Sequence, residues 1–180
     1  MRIFVAIDIT DQMVTNSIKK FQDELEIDAR PIKSQNFHFT LQFLGEVSQD
    51  SVEKIRDALQ SVEFSSFDIM LKGVGVFPKP NFPRIIWIGT DEKGGETLVD
   101  LSKKVVKVLE PLGFIQDKPF KPHITVFRIK KKIGDISEEL ESKKMINFGI
   151  QKISNIKLKK SELTSSGPIY TDLLEVCAIK

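Results

Sequence analysis

Asn36-Phe37-His38-Phe39-Thr40-Leu41-Gln42-Phe43-Leu44 and His123-Ile124-Thr125-Val126-Phe127-Arg128-Ile129 are the two stretches that decide the fold. Each reads His, apolar, Thr, apolar inside a β-branched and aromatic run, the composition of a strand. With a strand period of two, His and Thr project from one face and the apolar residues from the other, into a core. Phe37, Phe39, Leu41 and Phe43 then form an apolar backing behind His38, and parity assigns Phe43 to core packing. A lone histidine in a strand is more often structural than catalytic. Here the chain has only two histidines, and both stand in the same four-residue pattern.

Outward from these strands the pattern repeats. Residues 2–8 read as a strand, a helix follows from the N-capping Asp11 to about Ile27, and the first His strand closes at Gly45. Gln49 to Val62 is amphipathic through Val52, Ile55 and Leu59, and Phe67 to Phe77 is a strand. Its Gly73 and Gly75 are followed by prolines rather than a helix, which favours a bulged or closely packed strand end over a phosphate loop. The Pro-rich stretch 78–83 reads as a linker. Then come a strand at 84–89, a helix at 94–112, the second His strand, a short helix at 135–144, and strands at 148–158 and 170–179. Strand, helix, His strand, helix, strand thus occurs twice, with residues 1–77 as the first repeat and 84–180 as the second.

Composition narrows the function classes. The 180 residues include 13 Phe and are 41% hydrophobic, enough for a real core. A single cysteine, Cys177, excludes an internal disulfide and a multi-cysteine zinc site, and fits a small buried residue in a reducing, cytoplasmic setting. The N-terminal apolar run is cut short by Asp8, so neither export nor a membrane span is expected. Net charge is only +2, yet residues 29–45, 118–132 and 142–161 contain none of the chain's 25 acids. Around the histidines this points to an anionic ligand; the lysines of 142–161 taken singly read as a solvated face.

Paired imidazoles in acid-free surroundings suit phosphate chemistry. One can take a proton from water while the other protonates a departing oxygen, because an ordinary pKa near 6.5 makes both states accessible. Thr40 and Thr125 would donate hydroxyls to nonbridging oxygens. Two histidines fall short of a metal's three or four ligands unless folding supplies a carboxylate, and no serine or cysteine nucleophile signature is present.

These residues, with RIFVAID at the N-terminus, NFHFTLQFLGEV, PRIIWIG, FKPHITVFR and Ser161-x-Leu163-x-x-x-Gly167-x-x-Tyr170, resemble the 2H phosphoesterase superfamily over almost the whole chain. The group resembled is the bacterial and archaeal 2′-5′ RNA ligase-like RNA 2′,3′-cyclic phosphodiesterases. The resemblance implies an α+β fold of two pseudo-symmetric lobes, each an antiparallel sheet with helices outside, flanking a central cleft. It implies a 2′-phosphomonoester product, His38 as proton donor, His123 as proton acceptor, Thr40 and Thr125 on the phosphate, and no cofactor or metal. Arg128 matches a substrate-binding arginine, although an ideal strand puts it opposite His123 and its role requires a bulge. Arg84 and Phe43 are further substrate-binding candidates. The partner implied is RNA with a cyclic phosphate end, such as tRNA fragments, met by a cytoplasmic monomer. Ligation of tRNA halves and RNA-end binding without turnover are the competing readings.

Overall fold

The computed structural model describes residues 1–180. Its elements are β1 (Arg2–Asp8), α1 (Gln12–Glu24), β2 (Arg30–Pro31), β3 (His38–Glu46), α2 (Gln49–Gln60), β4 (Phe67–Lys79), β5 (Phe82–Thr90), α3 (Glu92–Leu109), β6 (Ile124–Arg128), α4 (Ser137–Glu141), β7 (Asn147–Ile153), β8 (Asn155–Thr164) and β9 (Gly167–Cys177). The helices start where side chains cap them: Asp11 accepts from the Val14 N–H, Ser48 from Ser51 and Asp91 from Gly94. No helix is long and apolar enough to cross a membrane.

The strands are antiparallel in the order β7-β4-β5-β6-β3-β1-β8-β9, with β2 beside β6. The α+β reading is therefore right, and the sheet divides into two four-stranded halves, β3-β1-β8-β9 and β6-β5-β4-β7. They meet at one register pair, Phe39 opposite Ile124, the residue after each histidine. Buried faces of α1, α2 and α3, through Ile18, Ile55 and Val105, join a single core with Phe39, Leu41, Ile124 and Val126.

Two boundaries differ from the sequence reading. Residues 78–83 are no linker: Lys79 pairs with Phe82 and Pro78 with Pro83 at the tip of the β4–β5 hairpin. Prolines tolerate such a tip as readily as a linker. Residues 148–158 are not one strand either. The chain breaks at Ser154, sending β7 to β4 and β8 to β1 in opposite halves. One half consequently holds both ends of the sequence and the other its middle, from Phe67 to Ile153, and repeats drawn as 1–77 and 84–180 do not coincide with them. Periodicity sees strands but not their partners.

The two halves nevertheless correspond residue by residue. Ala6 faces Thr40 and Trp87 faces Thr125; Phe4 faces Phe43 and Ile85 faces Arg128. On the next strand out, Lys157 and Lys159 lie beside Ala6 and Phe4, where Gly75 and Phe77 lie beside Trp87 and Ile85.

Candidate active site

Each histidine stands at the mouth of its strand, His38 opening β3 and His123 just ahead of β6. Both rings are held the same way. His38 Nδ1 lies 2.7 Å from the Asn36 carbonyl and His123 Nδ1 lies 2.6 Å from the Lys121 carbonyl. A carbonyl only accepts, so Nδ1 carries the proton, and in the neutral ring Nε2 is the free base. Antiparallel register through Phe39 and Ile124 brings the His38 end of β3 alongside Thr125 and the Thr40 end alongside His123. His38, Thr40, His123 and Thr125 are all half-buried, opposite in parity to the fully buried Phe39 and Ile124.

Beyond each threonine both strands carry a bulge. Leu41 has no partner between Thr40 and Gln42, nor has Val126 between Thr125 and Phe127. The extra residue inverts the alternation. Leu41 and Gln42 are buried in succession, as are Val126 and Phe127, and the next residue on each strand emerges on the histidine face. The Val126 carbonyl freed by the bulge is satisfied by the Ile32 N–H at 2.9 Å and the Gln22 side-chain amide at 2.8 Å. The bulge that Arg128 required is present. The same device overturns the parity argument for Phe43, which is 70% exposed and lies against Phe4, itself in contact with His38.

Arg84 has a different place. Its guanidinium donates to the Lys130 carbonyl at 3.0 Å and stacks over the Phe82 ring, tying the end of β6 to the β4–β5 hairpin. Those contacts anchor the strand that carries Arg128.

Other neighbours were not singled out from the sequence. The Tyr170 ring meets His38 edge-on at 5.4 Å, and Asn36, whose carbonyl orients His38, donates its side-chain amide to the Pro168 carbonyl. A cavity of about 370 Å³ opens beside them, lined by Lys33, Asn36, Lys159, Pro168 and Tyr170. His123 packs against Phe77 at 5.3 Å and Trp87 at 6.3 Å. Gly75 makes room for that indole, since a Cβ there would lie 2.0 Å from it. Gly73, at φ +78°, sits in a register shift of β4. The G-x-G is thus one bulge glycine and one close-approach glycine. The only tyrosine and the only tryptophan of the chain both border the histidines, a signal available in the composition.

Burial pulls the pKa of both imidazoles below its ordinary value. For His38 the Asn36 bond and the Asp8 carboxylate oppose the fall, whereas Lys159 and Arg128 add to it. That Arg128 acts on His38 across the seam puts the ends of both motifs in one neighbourhood. Asp8 lies opposite His38 in register, but its Oδ2 is already shared by Lys157 and Lys159, each at 3.0 Å. No three His, Cys, Asp or Glu side chains converge anywhere as a metal site would need.

Residues 2–176 match the family described as the AKAP7 2′5′ RNA ligase-like domain. The chain belongs to this 2H phosphoesterase family. Among its 2H relatives, an Archaeoglobus fulgidus protein named RNA 2′,3′-cyclic phosphodiesterase is 39% identical over 175 residues, covering 96% of this chain and 98% of its own. A protein of that name from Methanothermobacter thermautotrophicus is 33% identical over 185 residues, covering 96% of each. The 2H fold is shared with the solved structure of TT0787 of Thermus thermophilus, at a TM-score of 0.80 and 27% identity, over 98% of this chain and 97% of that one.

Proposed function

We propose that the protein hydrolyses RNA 2′,3′-cyclic phosphodiester ends to 2′-phosphomonoesters by metal-independent acid/base catalysis. The observation that carries this reading is the matched fixing of both Nδ1 atoms, which leaves two Nε2 atoms for one substrate. Neutral His123 takes a proton from water through Nε2 as the water oxygen attacks phosphorus. Protonated His38 gives its Nε2 proton to the 3′ oxygen as the P–O3′ bond breaks. Thr40 and Thr125 donate hydroxyls to the nonbridging oxygens, where charge grows in the transition state. Exposed Phe43 offers a stacking face to the terminal base, and Arg128 draws the phosphate. The names of the Archaeoglobus and Methanothermobacter relatives support the substrate class.

The test is an oligonucleotide with a cyclic phosphate end. A 2′-phosphate product, and a loss of about 100-fold or more in His38→Ala and in His123→Ala with binding retained, are expected. Full turnover in both variants would sink the proposal, as would loss with a chelator and recovery with zinc. With a 5′-hydroxyl in place of water the same groups would form a 2′-5′ linkage, and joined product in this assay would identify ligation as the reaction.

A further inference from the structure

The two imidazoles share backbone restraints but not surroundings. Correspondence through the threonines equates Lys157 with Gly75 and Lys159 with Phe77, and one step further along the strands it equates Asp8 with Gly89. Where one half carries charge, the other carries the Trp87 indole lying over Gly75 and close to Gly89.

The charges close into a ring. Lys157 Nζ lies 3.0 Å from Asp8 and 2.8 Å from Asp172, and Lys159 Nζ lies 3.0 Å from Asp8 and 2.6 Å from Asp172. Lys159 is 6% exposed and does not lie on a solvated face, as the lysines of residues 142–161 singly read; Asp8 and Lys157 are largely covered, and Asp172 closes the ring from the solvent side. Burial works against the Lys157 ammonium, but its bonds to Asp172 and Asp8 hold it above the usual lysine range. Burial likewise raises the Asp172 carboxyl, and the two lysines more than reverse that. The two lysines and two aspartates sum to a formal charge of zero, with one carboxylate of the ring directly opposite His38.

We propose that Asp8 keeps the catalytic proton on His38 rather than His123, and that Lys157, Lys159 and Asp172 are positioning residues that fix its carboxylate and balance its charge. The proposal rests on the acid/base reading above. The groups facing His38 are Asp8 and Phe4 from β1, Lys159 from β8, Tyr170 from β9 and Arg128 from β6. Among them Asp8 is the single anion, and it supports an imidazolium against the opposing cations Lys159 and Arg128. Around His123 stand Phe77 and Trp87, which offer a cation no carboxylate. The neutral total matters, because a bare carboxylate beside a cyclic phosphate would repel the substrate.

The experiment follows each imidazole by NMR titration in the full-length protein, where no turnover is needed. Asp8→Asn leaves two lysines on one carboxylate and is expected to lower the His38 midpoint by about one pH unit. Lys159→Met leaves the carboxylates in excess and is expected to raise it. His123 should stay put in both, and the alkaline limb of kcat/KM should follow His38 in each direction. Should Asp8→Asn fail to fold, Asp172→Asn gives the same sign; should Lys159→Met fail, Lys157→Met replaces it. General structural damage would not move one midpoint in opposite directions. Midpoints of His38 that stay unchanged, or shift the same way in both variants, overturn the ring's role even if His38→Ala is inactive. Active histidine variants would instead remove the acid/base reading and leave the titration result standing.

Discussion

Phe43 and Arg128 occupy equivalent places in the two halves, each just past a bulge, one opposite Phe4 and the other opposite Ile85. Both emerge on the histidine face, so one half contributes an aromatic plane and the other a cation. Phe43→Ala should therefore leave the urea midpoint nearly unchanged, because a ring that is 70% exposed contributes little burial. Phe39→Ala, in the core, is expected to cost about 3–5 kcal/mol. Steady-state kinetics on a cyclic-phosphate oligonucleotide should show Phe43→Ala raising KM several-fold with a smaller change in kcat. A large stability loss at Phe43 would return it to the core.

Arg128→Gln removes a cation from the cleft. Binding of a cyclic-ended oligonucleotide should weaken and become less sensitive to salt, because one fewer phosphate contact releases fewer counterions. An unchanged slope of log affinity against log salt concentration would place Arg128 outside the substrate path.

Gly75→Ala sets a methyl group against the Trp87 indole, with only 2.0 Å available. Overpacking of this kind costs about 1–3 kcal/mol. Since the chain has one tryptophan, its emission reports the displacement directly, and turnover should fall as the packing on His123 is lost. Unaltered emission and midpoint would contradict the close approach.

Both imidazoles carry a pKa lowered by burial, so near neutrality the unfolded chain takes up protons more readily than the folded one. Their contribution to stability is present above the ordinary value of about 6.5 and is lost as pH falls through the folded values. Urea midpoints should accordingly decline from pH 8 to pH 5.5, and the slope should flatten in a His38→Gln, His123→Gln double variant. A midpoint rising over that interval would show that burial does not favour the neutral rings.

Local chemistry determined much by itself. Two His-x-Thr patterns, the cap at Asp11, and acid-free surroundings depend on neighbours a few residues apart, and periodicity registers such neighbours directly. Tertiary structure alone decided where Phe43 and Arg128 point, because a bulge is an extra residue relative to a partner strand and has no meaning within one strand. It alone broke 147–164 at Ser154 and sent the pieces to opposite halves, since pairing follows available edges rather than chain order. And it joined Asp8 to Lys157 and Lys159, groups far apart in sequence that only the pairing of β1 with β8 brings within 3.0 Å of each other.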